Sequence, residues 1–166
     1  MNECIKRDAL RPNPVGDKVI REMSERYGYG IPKPEFIPVI QDDFLPHTII
    51  VDIDGTVAHM NGRSPYDYSK VSTDTVDLAV QTIVCELQHF QEIIFVSGRK
   101  LECHDETYDW LKRYFRFDFN LYMRKDGDNR CDSVVKREIL EELIKTRYIV
   151  AAIDDRDRVV KMWRES

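Results

Sequence analysis

The stretch IIVDIDGTVAHMNGR, from Ile49 to Arg63, decides the fold. It opens on branched aliphatics, the mark of a short strand buried on both faces. Asp52 and Asp54 close the run, and Gly55 and Thr56 break it. A buried strand gains nothing from carboxylates, which must be paired to stay out of water. In an ideal strand, residues two apart point to one face. The two aspartates are therefore expected to act on one group.

Outward from this stretch, strands alternate with helices. TIIVDID (48–54), EIIFVSG (92–98), FNLYM (119–123) and YIVAAID (148–154) read as strands. Helical spacing predicts helices over Thr73 to His89, Asp105 to Phe115, Ser133 to Lys145 and Arg156 to Arg164. Thr73 or Ser72 is expected to cap the first of these. Such alternation implies parallel crossovers and an α/β sheet with helices on both faces. In open sheets of this kind the site lies beyond the carboxyl ends of the strands. Asp52 and Asp54, Ser97 and Arg99, and Asp154 and Asp155 all fall at strand ends, and Lys136 lies on a helix within reach.

Residues 1–46 read differently. CIKRDALRPNPVG is polar and broken by proline, and an amphipathic helix is expected from about Asp17 to Arg26. GYGIPKPEFIPVIQDDFLP then reads as a linker or extended arm. The division expected from the sequence is thus 1–46 and 47–166.

The net charge of −5 argues against broad binding to duplex nucleic acid, though not against a local basic cleft. Cys4, Cys85, Cys103 and Cys131 are scattered, which favours reduced thiols over disulfides or a zinc site. No apolar run is long enough to span a membrane. His59, His89 and His104 lack metal-ligand spacing, and Trp110 and Trp163 read as core residues.

Carboxylates crowded on one rim repel one another unless they share a proton or hold a cation. An all-oxygen donor set suits Mg²⁺. With Ser97 and Lys136 nearby, the fitting guest is a phosphate. One aspartate is then free to attack phosphorus, and its neighbour to move a proton.

DIDGT after a strand, VSGR after the second, a lysine early in a helix and IDDR after the fourth together resemble the haloacid dehalogenase (HAD) superfamily of phosphohydrolases. DGTVAHMNGRSPYDY, VSGRK, DNRCDSVVKREIL and AIDDRDRVVKMWR are similar to the 3′-phosphatase domain of phage polynucleotide kinase-phosphatases. The resemblance runs from about Thr48 to Arg164. It implies a HAD-like Rossmannoid fold with a small cap or none. It implies Asp52 as nucleophile and Asp54 as general acid/base. Thr56, Ser97, Gly98 and Lys136 would bind the phosphate. Arg63, Arg99 and Arg130 would contact the phosphate or the substrate strand. Mg²⁺ would be held by Asp52, the Asp54 carbonyl, Asp154 and Asp155. The implied partners are 3′-phosphate ends of RNA or DNA, and the implied setting is the cytoplasm of a phage-infected bacterium. The oligomeric state stays open, a homo-oligomer included.

CIKRDALRPNPVGDKVIREM resembles the lid and last helix of the kinase half of the same enzymes, with Arg7 and Arg11 as nucleotide contacts. No G-x-x-x-x-G-K-[ST] loop is present, so no kinase activity is expected. The family pattern runs on past MWR into a Gly-led turn and one more strand, so the last strand is expected to be missing. Two other functions stay open at this point. One is a HAD phosphatase acting on a small nucleotide or sugar phosphate. The other is a module that binds nucleic-acid ends without turnover.

Overall fold

The structure is a computed structural model, and it describes residues 2–27, 40–64 and 67–166. The chain divides into two compact units, Met1–Pro38 and Val39–Ser166. The division falls before the 46/47 boundary because Gln41 already belongs to the second unit. Its side chain donates to the Ile149 carbonyl at 3.1 Å and accepts the Ile149 N–H at 2.6 Å.

The first unit holds α1 (Asn2–Ala9) and α2 (Asp17–Tyr27). Helix α1 occupies the part of the polar stretch that precedes its prolines. Its buried Asp8 accepts the N–H groups of Val15 and Gly16 at 3.2 and 2.8 Å, tying down the turn before α2. Arg7 pairs with Glu3 and Arg11 with Asp8. The linker expected over residues 28–46 lies largely outside the described residues.

The second unit runs β1 (His47–Val51), β2 (Ala58–His59), β3 (Thr75–Val76), α3 (Leu78–Leu87), β4 (Glu92–Lys100), α4 (His104–Tyr114), β5 (Asn120–Arg124), α5 (Asp132–Leu143), β6 (Tyr148–Ile153) and α6 (Asp157–Arg164). The main sheet has the order β5-β4-β1-β6, and every pairing in it is parallel. Side chains alternate across it as the pleat requires. Ile49, Val51, Ile93 and Phe95 pack with Val84 of α3 and with Trp110 and Leu111 of α4. Ile50, Ile94 and Val96 face the other way, onto Leu140 and Leu143 of α5 and Trp163 of α6. Both faces are therefore covered, which is why these strands read as unbroken apolar runs. Among the described residues no helix is long and apolar enough to cross a membrane.

Two expectations need correction. The helix expected from Thr73 begins only at Leu78. Residues Tyr68–Thr73 form a 3₁₀ segment, and Thr75–Val76 pair antiparallel with Ala58–His59. The cap is Asp77, whose carboxylate accepts the N–H groups of Ala79 and Val80 at 3.0 Å each. An aspartate in that position stabilises a helix start by about 1 kcal/mol. The first strand also ends at Val51, not at Asp54. Buried Ile53 accepts the N–H groups of Thr56, Val57 and Ala58, and this folds the chain into a tight turn. Gly55 takes φ +87° in that turn, the left-handed region that suits glycine.

Candidate active site

Asp52 and Asp54 leave the end of β1 on either side of Ile53, whose side chain anchors the turn in the core. Asp52 is buried. Its Oδ1 accepts a hydrogen bond from Lys136 Nζ at 2.6 Å. Lys136 is carried by the second turn of α5, and its side chain is wholly buried. Its ammonium also donates to Asp154 Oδ2 at 2.7 Å and lies 3.8 Å from Asp132.

Burial pushes the Asp52 carboxyl up to about 7, with Asp154 adding to the rise and Lys136 opposing it. Burial also works to lower the Lys136 pKa, but Asp52, Asp132 and Asp154 outweigh it and the pKa is raised. The lysine is thus held towards its charged form, while burial pushes its partner Asp52 towards the neutral one.

Asp54 has different neighbours. Arg99 reaches it from β4, with Nε on Oδ2 at 2.9 Å and Nη2 on Oδ1 at 2.7 Å. Arg63 adds a contact at 3.3 Å. Behind both arginines lies Asp74, whose side chain is 0% exposed. Arg63 meets it through Nε at 2.7 Å and Nη2 at 2.6 Å, and Arg99 through Nη2 at 2.7 Å. Trp110 Nε1 donates to the Asp74 carbonyl at 2.8 Å and fixes the backbone there. Arg99 reaches this network because the pairing of β4 with β5 slips between Ser97 and Lys100, a bulge that re-aims side chains.

Ser97 is buried at the same strand end, and its Oγ accepts the Arg99 N–H at 3.2 Å. A Cβ at Gly98 would run into the Asp132 carboxylate, which would have to move aside. Thr56 Oγ1 donates to Asp155 Oδ1 at 3.5 Å. After β6, Asp154 is held by Lys136, by Trp163 Nε1 at 3.2 Å and by the Arg156 N–H at 3.1 Å. Asp155 is exposed. Asp52, Asp154 and Asp155 each offer an oxygen, and these lie within 4.8 Å of one another. Three convergent carboxylates without a sulfur or imidazole among them make a donor set for a hard divalent cation.

The structure thus gathers Asp52, Asp54, Thr56, Ser97, Gly98, Lys136, Asp154 and Asp155 around one rim. Arg63 and Arg99 join them, but with their donors turned onto Asp54 and Asp74. Arg130 lies on the cavity wall, clasped by Asp128 and by Glu138. The cavity itself measures about 700 Å³ and has Asp52 and Asp54 in its lining.

Sequence reasoning missed Asp74, Asp132, Arg124 and the tie from Trp163 to Asp154. Asp132 had a signal, since it stands four residues before Lys136 on one helix face. Arg124 holds the β5–α5 loop by donating to the carbonyls of Gly98 and Arg130 at 2.8 and 2.7 Å. Asp74 had none, as nothing local marks it off from a turn residue.

A carboxyl pressed against a buried ammonium, next to a second one gripped by arginines, is chemistry for moving a phosphoryl group. On this sheet it defines a phosphohydrolase of the HAD class. The family model for the polynucleotide kinase PNKP phosphatase domain matches residues 46–166, and the chain belongs to that family. That family is the phosphatase domain of polynucleotide kinases, a class of phosphoric monoester hydrolases. HAD phosphatases are generally metal-dependent, in keeping with the acidic cluster.

A relative from Autographa californica nuclear polyhedrosis virus, described as a putative bifunctional polynucleotide kinase/RNA ligase, is 35% identical over 135 residues. That match covers 78% of this chain and 19% of the viral protein. A chain in a structure of a Pnkp1/Rnl/Hen1 complex is 32% identical with a TM-score of 0.72, covering 80% of this chain and 47% of that one. A second, from a structure of the Pnkp1/Rnl/Hen1 RNA repair complex, is 28% identical with a TM-score of 0.73, covering 98% and 57%. This chain therefore spans from a fifth to somewhat over half the length of these relatives.

Proposed function

We propose that the chain removes 3′-phosphates from nucleic-acid ends through an aspartyl-phosphate on Asp52, as an end-healing step in repair. The observation that carries this reading is the unlike surroundings of the two aspartates. Asp52 is buried against Lys136, while Asp54 is held at a fixed angle by Arg99 and Arg63. Asp52 Oδ attacks phosphorus as the bond to the 3′ oxygen breaks. Asp54 gives that oxygen its proton. Asp54 then takes a proton from water as the water attacks the aspartyl-phosphate, releasing phosphate and restoring both carboxyls. Lys136 favours the ionised form of Asp52 and neutralises phosphate oxygens, and Ser97 and Thr56 hold the same group.

Mg²⁺ would fit the converging oxygens of Asp52, Asp154 and Asp155, and on this reading the Asp54 carbonyl would join them. When bound it supplies charge neutralisation for the phosphoryl oxygens. The likeness to a chain of an RNA repair complex supports RNA ends as substrate. On this reading residues 1–46 correspond to a kinase lid, the helix after it and a linker.

Matched oligonucleotides phosphorylated at the 3′ or the 5′ end, incubated with Mg²⁺ or with EDTA, test the reading. Release from the 3′ end alone, dependent on Mg²⁺, is the expected result. Equal release from both ends, or release from a free sugar phosphate in preference to any oligonucleotide, would sink it.

A further inference from the structure

Asp154 has the most confined side chain of the acidic cluster, only 1% exposed. A carboxylate taken out of water must have its lone pairs filled, and each of its oxygens offers two. Oδ2 accepts two donors, Lys136 Nζ at 2.7 Å and Trp163 Nε1 at 3.2 Å. Oδ1 accepts one, the Arg156 N–H at 3.1 Å. Oδ2 is therefore full, and Oδ1 keeps one pair free. Of the two donors on Oδ2, Lys136 is the looser tie, because its ammonium also serves Asp52. Trp163 is fixed. It lies in the last turn of α6, and its ring packs on the cluster of Ile50, Ile94, Val96, Leu140 and Leu143. An indole has a single N–H to give, and here it goes to Asp154.

We infer that Trp163 is a positioning residue for the divalent cation. By closing Oδ2 it leaves Asp154 only Oδ1 to present, so Asp154 meets the cation, or a water on it, through one oxygen. The inference rests on the Mg²⁺ reading above and adds what selects the ion. Mg²⁺ demands a near-ideal octahedron, whereas Ca²⁺ takes carboxylates through one oxygen or two. A carboxylate locked to one oxygen favours the smaller ion. Without the indole N–H, Oδ2 regains a free pair, the carboxylate turns, and both oxygens come within reach of a larger ion. Partners that orient a metal ligand in this way govern affinity without touching the metal.

Amide NMR titrations of the substrate-free protein with Mg²⁺ and with Ca²⁺ test this without turnover. Trp163→Phe keeps a ring in the apolar cluster and removes the N–H. It is expected to weaken Mg²⁺ about tenfold and to leave Ca²⁺ within about twofold, so the ratio of the two affinities shifts. General damage to the fold would weaken both ions alike. A parallel loss for both, or no loss for either, overturns the inference. The wild-type protein gives a second readout that needs no variant. Its two tryptophans, Trp110 and Trp163, give two indole N–H signals. That of Trp163 should shift as Mg²⁺ is added, because its acceptor takes up the cation. That of Trp110, bonded to the Asp74 carbonyl, should move less. A Trp163 signal that stays in place at saturating Mg²⁺ overturns the inference even if Trp163→Phe does not fold. Binding of neither ion by the wild type refutes the Mg²⁺ reading, and the inference falls with it. Wild-type Mg²⁺ binding that persists unchanged in Trp163→Phe refutes the inference alone.

Discussion

Arg99 grips Asp54 with two nitrogens, Nε at 2.9 Å and Nη2 at 2.7 Å, while that same Nη2 lies 2.7 Å from Asp74. The guanidinium is thus a fixed bridge between the half-buried carboxylate of Asp54 and the wholly buried one of Asp74. Asp74 sets where both arginines sit, and through them the angle of Asp54.

Asp74→Asn should therefore slow the chemical step although Asp74 touches no substrate. Breaking a buried, hydrogen-bonded ion pair costs roughly 3–5 kcal/mol, so Tm should fall as well. To separate the two effects, kcat and KM are measured at a temperature where the variant is folded. A drop of at least tenfold in kcat with KM little changed is expected. A folded variant with full kcat would show that Asp74 is only a structural tie.

Gly55 lies at φ +87°, and a Cβ there would run into the carboxylate of Asp155. Gly55→Ala should push Asp155 away from Asp52 and Asp154. The expected outcome is a Mg²⁺ requirement raised at least tenfold, read from activity against Mg²⁺ concentration, with saturating Mg²⁺ recovering part of the rate. An unchanged Mg²⁺ dependence would separate Asp155 from metal binding.

The residues near Asp52 show how much the sequence discloses. The two central strands were legible because burial on both faces leaves only apolar residues in 49–51 and 93–96. Asp52, Ser97, Lys136 and Asp154 were legible because each sits at a strand end or early in a helix, where the fold must bring it to one rim. Residues 58–77 were not. Their hairpin is two residues deep, their 3₁₀ turn has no periodicity, and Thr73 looks as good a cap as Asp77. Asp74 belongs to that stretch, and its meaning comes only from two arginines, eleven residues before it and twenty-five after it. Arg63 and Arg99 were placed at the site, but whether they face phosphate or carboxylate depends on packing that no spacing encodes.

Cys131, on the wall of the cavity, should be more reactive than Cys85 or Cys103. Hydrogen bonding with Ser133 and then with Arg158 lowers its pKa to about 7, while burial pushes the thiols of Cys85 and Cys103 up. The thiolate is the nucleophile, so alkylation by iodoacetamide should accelerate as pH rises through 7 and level off above it. Arg158→Ala should move that midpoint upward. Peptide mapping after brief labelling checks the site. Preferential labelling of Cys85 or Cys103 would contradict the assignment.

The central claim is that Asp52 carries the phosphoryl group. A single-turnover quench in acid, using an oligonucleotide labelled in its 3′-phosphate, tests it most directly. The account expects a transient labelled protein, stable in acid and labile in alkali, with the label on the peptide containing Asp52. Asp52→Asn should form none of it and release no phosphate. Phosphate release at the wild-type rate from Asp52→Asn, or with no labelled protein at any quench time, would contradict the account.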